Sequence, residues 1–303
     1  MERKILWVLS FLVIFILWLK LEPIKQSQSN DQTVVDVDPK SQIDEDKGQP
    51  NIVKEPPVKD KKDKATPQIT GKAVKDENSP PDFAKITDTQ EKKDTFFHYL
   101  LPYVIEKNAL LIRDREKIYE ILNNKEPPSR EDKRWLKALR GIFRLEKVDV
   151  YTHDIIRELL PHVDIIPESL ALAQAANESA WGTSRFALEG NNYFGQWCFR
   201  KGCGLVPVNR DYDADHEVKR FKNAKESVFA YIDNLNINAA YKDLRKKRSE
   251  LRSSEEPITG IALASGLLNY SQRGQDYIDE IEELIRYNKL WKYNQKRDTL
   301  IEK

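Results

Sequence analysis

The sequence predicts a mainly α-helical domain that carries one small β-hairpin, and three observations predict it. From Thr89 onward, apolar residues recur every three or four positions, which is the period of an amphipathic helix. The helical stretches begin at capping residues and end near glycine or proline. Residues 196–221 break this pattern, because the alternating stretches GLVPV and EVKRF lie there among Cys, Gly and Pro.

The first 21 residues predict a membrane segment. Residues 5–19 read ILWVLSFLVIFILWL, an apolar run that Leu21 extends toward the length of about 20 residues that a bilayer needs. The basic residues Arg3 and Lys4 favour a cytoplasmic N-terminus with the rest of the chain exported. Charged residues follow the run at once, without an A-x-A-like cleavage site close behind. This favours an uncleaved single-pass anchor in the inner membrane, with the folded part in the periplasm, over a protein secreted after signal cleavage.

Residues 22–88 predict a disordered, charged linker. Stretches such as PVKDKKDKATPQITGKAVKDENSPPD contain almost no large apolar side chain. Such a composition cannot bury enough surface to offset the entropy of ordering the chain. We therefore place the helical N-terminal part of the folded region at 89–150 and the second part at 151–295.

Within the folded region, caps and breakers mark the individual helices. Residues 94–124 predict a helix that is broken near Pro102. Ser129 and Asp132 have the spacing of a capping box, and Thr152 is placed to cap the next helix. Near the end of the chain, SVFAYIDNLNINAAYKDLRKKR and YIDEIEELIRYNKLWKY also have a helical period.

Charge and metal-binding residue types exclude several classes of function. The formal net charge of +1 argues against a nucleic-acid partner. Two cysteines and four scattered histidines do not form a metal-ligand cluster, so we expect neither a metal nor a cofactor. The basic run YKDLRKKRSELR is either a polyanion patch or a solvated helix face, and its acidic neighbours favour the solvated face. The sequence does not indicate an oligomeric state.

One carboxylate stands out on a helix that is otherwise apolar or small nearly all round. In the segment AANESAWG and the turn before it, Gln174, Asn177 and Glu178 share a narrow face with Trp181. Buried carboxylates are rare unless they are paired or functional. Glu178 is therefore either the acid of a functional cleft or the partner of an arginine such as Arg185.

A carboxylic acid held against an indole has a raised pKa, because burial disfavours its charged form. It then stays protonated near neutral pH and can donate a proton to a leaving oxygen, which suggests glycoside hydrolysis with Glu178 as general acid. The following loop, EGNNYFGQWC, is either a plain loop with buried aromatics or a sugar-binding surface of amides and aromatic planes. Together with the helix it supplies the candidate substrate-binding residues Gln174, Trp181, Asn192, Tyr193, Phe194 and Trp197.

Four segments in order resemble one known family. LAQAANESAWGTSRFA, GNNYFGQWC, FKNAKESVFAYIDNLN and LASGLLNYSQRGQDYIDEI are similar to the mannosyl-glycoprotein endo-β-N-acetylglucosaminidase-like family, over roughly residues 150–290. The stretch QWCFRKGCGLVP is most similar to the bacterial Bax group within it. The resemblance implies a lysozyme-like, mainly α-helical fold with two lobes about a cleft, and cleavage of the β-1,4 bond after N-acetylglucosamine in peptidoglycan.

The resemblance also implies roles for individual residues. The family's catalytic glutamate falls on Glu178. Its cleft tyrosine, which would orient or stabilise the reacting sugar during catalysis, falls on Tyr270, and a further family tyrosine, taken as substrate-binding, falls on Tyr277. Tyr193 stands where the family usually has leucine, which affects the specificity expected of the loop. A second carboxylate would come from the hairpin, where several acids qualify and Asp213 is taken as the candidate. The full set is Asp211, Asp213, Asp215 and Glu217.

The sequence thus predicts a membrane-anchored peptidoglycan hydrolase whose partner is the glycan strand. The alternative is a non-catalytic glycan-binding module that positions other cell-wall proteins, although binding alone does not require an acid at Glu178. Cys198 and Cys203 are the sole cysteines of a chain whose N-terminus favours export, so we expect a disulfide between them.

Overall fold

The computed structural model describes residues 80–207 and 216–295. Those residues are mainly α-helical with a small antiparallel sheet, as the sequence predicts. The α-helices are α1 (Thr89–Asn123), α2 (Arg130–Ile142), α3 (His153–Arg157), α4 (Glu168–Glu178), α5 (Arg185–Gly190), α6 (Ala224–Ile237), α7 (Lys242–Ser253), α8 (Gly260–Ala264) and α9 (Gln275–Tyr287). The strands are β1 (Trp197–Cys198), β2 (Gly204–Leu205) and β3 (Glu217–Lys219). The two-lobed arrangement implied by the resemblance stays a prediction.

The first helix is continuous, and the expected break near Pro102 is wrong. Pro102 lies on the exposed side of α1, where its ring faces solvent. Proline inside a helix costs about 3 kcal/mol. That cost is offset because α1 buries apolar side chains on both sides of the proline, including Phe96 and Leu100 before it and Val104 and Leu111 after it. The predicted capping box of α2 is present, since Ser129 and Asp132 each accept the backbone N–H of the other.

The packed region begins before Thr89, which corrects the end of the predicted linker. Residues 83–85 form a 3-10 turn, and Phe83 is only 1% exposed. Its ring meets that of Phe96 edge-on at 5.5 Å. Gly182 has φ +78, and a Cβ there would lie 2.5 Å from the Phe83 ring, so this close approach requires glycine.

The predicted membrane anchor and most of the predicted linker lie outside the described residues. Within residues 80–207 and 216–295, every helix is too short or too polar to cross a bilayer.

The sheet has three strands in the order β1-β3-β2, so the predicted hairpin is one strand short. The two expected segments pair as β2 and β3, and Trp197–Cys198 adds β1 on the other side of β3. A strand of two residues has no readable period, which is why the sequence does not predict it. A disulfide joins Cys198 to Cys203. The carboxylate of Glu217 accepts the backbone N–H groups of Gly202 and Gly204, each at 2.8 Å, and closes the turn.

The basic run of α7 does not form a solvated face alone. Its arginines turn inward, and Arg248 and Arg252 reach the buried carboxylate of Asp164, which Arg115 also approaches. The Arg252 guanidinium donates to both Asp164 oxygens, at 2.6 and 2.5 Å. Although burial opposes ionisation, the hydrogen bonds from Arg252 and the three positive charges hold the pKa of Asp164 below its ordinary value. The lysines of the run remain exposed.

Lys93 joins the beginning of α1 to the end of the domain. Its Nζ lies 4.9 Å from the centre of the Trp181 ring and 4.7 Å from that of Tyr287. It also donates a hydrogen bond to Asn288 at 3.1 Å, across 195 residues of sequence. Residues 168–176 of α4 are all buried, so the helix that ends at Glu178 is surrounded by the core along most of its length.

Candidate active site

Glu178 is the last residue of the central helix α4, and its side chain is only partly buried. The helix stops there because Ala180 and Trp181 take left-handed backbone angles, φ +49 and +58. Ser179 fixes this turn, since its Oγ donates to the Ala175 carbonyl at 2.6 Å and accepts the N–H of Gly182 at 2.9 Å. The turn leaves the Glu178 side chain at the edge of the buried helix, where one side meets the core and the other meets solvent.

Tyr277 contacts Glu178 directly. This tyrosine lies in the first turn of α9 and is 2% exposed. Its hydroxyl donates to Oε1 of Glu178 at 2.8 Å. Burial and the charge of Glu178 both raise the pKa of Tyr277, so the phenol stays neutral and keeps its donor proton.

Two further buried side chains continue this contact into the core. Nε2 of Gln174, one helical turn before Glu178, donates to the Tyr277 hydroxyl at 2.9 Å. The hydroxyl of Tyr231, on α6, donates to Oε1 of Gln174 at 2.5 Å. Gln174 is 0% exposed and its amide is engaged by the two tyrosines, and the predicted contact between Gln174 and substrate stays a prediction.

The loop after α5 is packed against the same tyrosines. Tyr270 stacks on Tyr277, with ring centroids 5.4 Å apart, and donates its hydroxyl to the Phe194 carbonyl at 3.2 Å. The Phe194 ring stacks on Tyr231 at 3.9 Å. The loop therefore keeps a fixed position beside α4.

Gly195 brings the loop backbone close to the second oxygen of Glu178. The glycine has φ +64, and a Cβ built on it would lie 3.6 Å from Glu178 Oε2. Positive φ favours glycine at this point. The two carboxylate oxygens thus have different surroundings, because Oε1 faces a buried phenol and Oε2 faces the loop.

Burial raises the pKa of Glu178 above the ordinary carboxyl value, because it disfavours the charged form. Hydrogen bonds from Tyr277 and from Asn177 oppose this rise, while the charge of Glu280 adds to it and that of Arg273 opposes it. Arg185, the alternative ion-pair partner, donates instead to the Val206 carbonyl and lies 3.9 Å from Glu189. A carboxylic acid with these surroundings is suited to proton donation.

Trp181 lies in an aromatic cluster instead of forming the wall against Glu178 that the sequence suggests. Its ring meets Phe96 at 5.9 Å and Phe97 at 5.4 Å, both edge-on. The backbone turn explains the difference, because the left-handed residues after Glu178 direct the indole toward α1. The phenol of Tyr277 takes the place expected for the indole.

Three of the four loop residues predicted to bind sugar are buried. Asn192 uses its whole amide inside the loop: Oδ1 accepts from Phe194 N and Gln196 N, and Nδ2 donates to Gln196 O and Lys219 O. Tyr193 is 1% exposed and packs near Phe96. Trp197, by contrast, is 56% exposed and stacks on His216 at 4.1 Å. In the described conformation, Trp197 is the member of this set that presents an aromatic face to solvent.

The second carboxylate stays a prediction. Asp213 lies outside the described residues, as do Asp211 and Asp215. Glu217 is described, but both of its oxygens are engaged by the disulfide turn. Glu217 also lies within 4.8 Å of both cysteine sulfurs, a metal-like grouping in which the disulfide leaves no thiolate free.

A half-buried carboxylic acid with a raised pKa, at the end of a buried helix, is a group suited to the acid step of glycoside hydrolysis. The comparisons with known proteins agree. Residues 153–290 match the model of the family described as mannosyl-glycoprotein endo-beta-N-acetylglucosaminidase. Protein bax of Escherichia coli (strain K12) is 32% identical over 201 residues, which cover 66% of this chain and 71% of that protein. The chain belongs to the glucosaminidase family, in its Bax-like group.

Among solved structures, the catalytic domain of the autolysin Auto from Listeria monocytogenes matches 60% of this chain and 96% of its own, at 16% identity and a TM-score of 0.33.

Proposed function

We propose that this chain is a peptidoglycan hydrolase of the endo-β-N-acetylglucosaminidase type, with Glu178 as its general acid. The observation that carries the proposal is the environment of Glu178. Burial raises the pKa of its carboxyl, a phenol holds one oxygen, and the other oxygen faces the loop at Gly195. Family membership supports glycosidase chemistry, and the resemblance in sequence supports peptidoglycan as the substrate.

In the proposed reaction, protonated Glu178 gives its proton to the glycosidic oxygen that follows N-acetylglucosamine. The bond between C1 and that oxygen breaks, and its electron pair leaves with the oxygen. Water then adds to C1, and its proton passes to a carboxylate. A second acid, for which Asp213 is our candidate, stabilises the positive charge at C1 or activates the water.

We also propose that residues 5–21 anchor the chain in the inner membrane and that the hydrolase works in the periplasm. The apolar run with basic residues before it supports this location. The disulfide between Cys198 and Cys203 supports it independently, because such bonds persist in oxidising compartments.

The test is digestion of isolated peptidoglycan by the full-length chain, followed by borohydride reduction and mass analysis of the released fragments. We expect reduced N-acetylglucosamine at the new ends. The variant Glu178→Gln should lose activity by about 10²- to 10⁴-fold, the contribution of general acid catalysis. Glu189→Gln, which changes an exposed carboxylate on α5, is the matched control and should keep full activity.

Two outcomes would contradict the proposal. Fragments that end in reduced N-acetylmuramic acid would assign cleavage to the other glycosidic bond. Glycan binding without any cleavage would favour the non-catalytic binding module.

A further inference from the structure

Tyr231, Gln174, Tyr277 and Glu178 form three hydrogen bonds in series, drawn from three helices. The distances are 2.5 Å from the Tyr231 hydroxyl to Gln174 Oε1, 2.9 Å from Gln174 Nε2 to the Tyr277 hydroxyl, and 2.8 Å from that hydroxyl to Glu178 Oε1. The first three side chains are at most 2% exposed, so bulk water does not compete for these groups.

The direction of the series is set by partner chemistry. A carboxylate oxygen, like the unprotonated oxygen of a carboxylic acid, only accepts, so the single proton of Tyr277 goes to Glu178 in either state of that carboxyl. The Tyr277 oxygen must then receive its other bond from a donor, which is the NH₂ group of Gln174. This orients the amide so that its oxygen faces Tyr231, whose hydroxyl donates to it. If the amide were turned over, Tyr277 would donate to the amide oxygen and Glu178 would lose its bond.

We propose that Tyr231 and Gln174 are positioning residues that act through Tyr277 and fix which oxygen of Glu178 carries the transferable proton. Oε1 is occupied as an acceptor, so the proton resides on Oε2, the oxygen beside Gly195. This inference rests on the proposed function of Glu178 as general acid.

The packing around Tyr231 agrees with this role. The same phenol that orients Gln174 stacks on Phe194, the residue before Gly195. One side chain therefore aligns the acid and the loop that faces it. A core that needed packing alone would be served by phenylalanine and an apolar side chain, because buried polar groups are costly unless every one is satisfied.

The test variant is Tyr231→Phe, in the full-length chain, read out by kcat, KM and the pH dependence of kcat. Without the hydroxyl, both orientations of the Gln174 amide become available. We expect kcat to fall about three- to tenfold, the value of one hydrogen bond, with KM nearly unchanged. The alkaline limb of the pH profile of kcat should move to higher pH. The reason is that the hydrogen bond from Tyr277, which lowers the pKa of Glu178, is weakened in this variant.

The other groups that act on Glu178 are unchanged in this variant. They are Asn177 on α4, Glu280 on α9 and Arg273 before it. The phenols of Tyr241 and Tyr270, whose own pKa values the charge of Glu178 raises, are also unchanged. Tyr119→Phe is the matched control, because it removes a hydroxyl that accepts from Arg115 and lies outside the series. This control variant should leave kcat and the alkaline limb of its pH profile unchanged.

A second measurement does not depend on activity. Carbodiimides label protonated carboxyls, so the labelling of the peptide that contains Glu178, followed against pH by mass spectrometry, reports its pKa directly. Tyr277→Phe should raise this pKa, and Tyr231→Phe should have no further effect in the Tyr277→Phe background if it acts only through Tyr277. If Tyr231→Phe does not fold, Gln174→Met interrupts the series at its middle.

The failures are distinguishable. Additive effects of Tyr231→Phe and Tyr277→Phe, or an unchanged labelling profile in folded Tyr231→Phe, would overturn the positioning role whatever the enzyme cuts. A wild-type chain that does not cut glycan would refute the proposed function. The positioning role of Tyr231 and Gln174 would then be tested by carbodiimide labelling of Glu178 alone.

Discussion

The Tyr277 hydroxyl lies 2.8 Å from Oε1 of Glu178, although 99 residues separate the two in sequence. This contact joins the first turn of α9 to the last residue of α4. It gives the carboxyl a buried neighbour on one side only, and several consequences for activity and stability follow from that asymmetry.

The pH dependence of activity should reflect the raised pKa of Glu178. A general acid works while it is protonated, so the alkaline limb of kcat should lie above the ordinary carboxyl value of 4.5. Reducing ends released from peptidoglycan, measured across the acidic and neutral range, give this profile. A limb at the ordinary value would show that desolvation does not govern the group.

Glu178→Gln should be at least as stable as the wild type near neutral pH. The raised pKa means that folding disfavours the charged form, so the wild type loses stability as pH rises through and above the unfolded-state value. The amide has no such charge and can still accept from Tyr277. The variant should therefore have a higher free energy of unfolding than the wild type above the unfolded-state pKa of Glu178, and the same free energy below it. Urea unfolding at several pH values measures this difference. A marked loss of stability would instead indicate a structural ion pair.

Asp164→Asn should be strongly destabilising, by about 3–5 kcal/mol, because it leaves buried arginines without their shared anion. The pKa of Asp164 is lowered, so its contribution is present above the ordinary value of 3.8 and is lost as pH falls through the lower folded-state value. Asp149→Asn, at an exposed loop position, is the control and should change little. Equal unfolding midpoints for the two variants would show that the arginines do not depend on Asp164.

Phe83→Ala should cost about 3–5 kcal/mol, as expected for removing a buried phenyl ring. Phe199→Ala removes the same ring from a position that is 48% exposed, and it should change the free energy of unfolding by less than about 0.5 kcal/mol. A chain that begins at Pro80 should likewise be more stable than one that begins at Thr89. Equal melting temperatures for the two chains would show that residues 80–88 do not stabilise the packed region and belong to the linker.

Replacing Cys198 and Cys203 together by serine should destabilise the chain by about 2 kcal/mol, the value expected for closing so short a loop. Mass analysis after alkylation without reductant checks the bond itself. Finding both thiols alkylated in protein taken from the periplasm would refute the disulfide in the native chain.

Helix positions were predictable where a local signal exists. The capping box at Ser129 and the cap at Thr152 are present because a side chain and a backbone N–H three residues away decide them. Pro102 shows the limit of local signals, since tertiary burial along α1 outweighs the penalty that proline carries alone.

The raised pKa of Glu178 could be predicted from the sequence, whereas the side chains around it could be predicted less well. A lone carboxylate on a helix of small residues can be recognised in the sequence. The direction of the Trp181 side chain, by contrast, depends on two left-handed backbone angles that no sequence pattern predicts. The sequence gives no signal for the role of Tyr231, because its hydroxyl matters only through Gln174, which comes 57 residues earlier. Side chains such as Asn192 bind the loop itself, and residue type alone does not distinguish this from binding a sugar.

The bridge made by Lys93 has a consequence for biosynthesis. Its partners Tyr287 and Asn288, and the Tyr293 ring that covers Phe97 at 5.9 Å, are among the last residues of the described domain to be made. A nascent chain that stops before them leaves Lys93 and Phe97, near the start of α1, without these partners. Truncated products would therefore expose aromatic surface of the kind that proteases and chaperones recognise, although Tyr277, the neighbour of Glu178, has already been made.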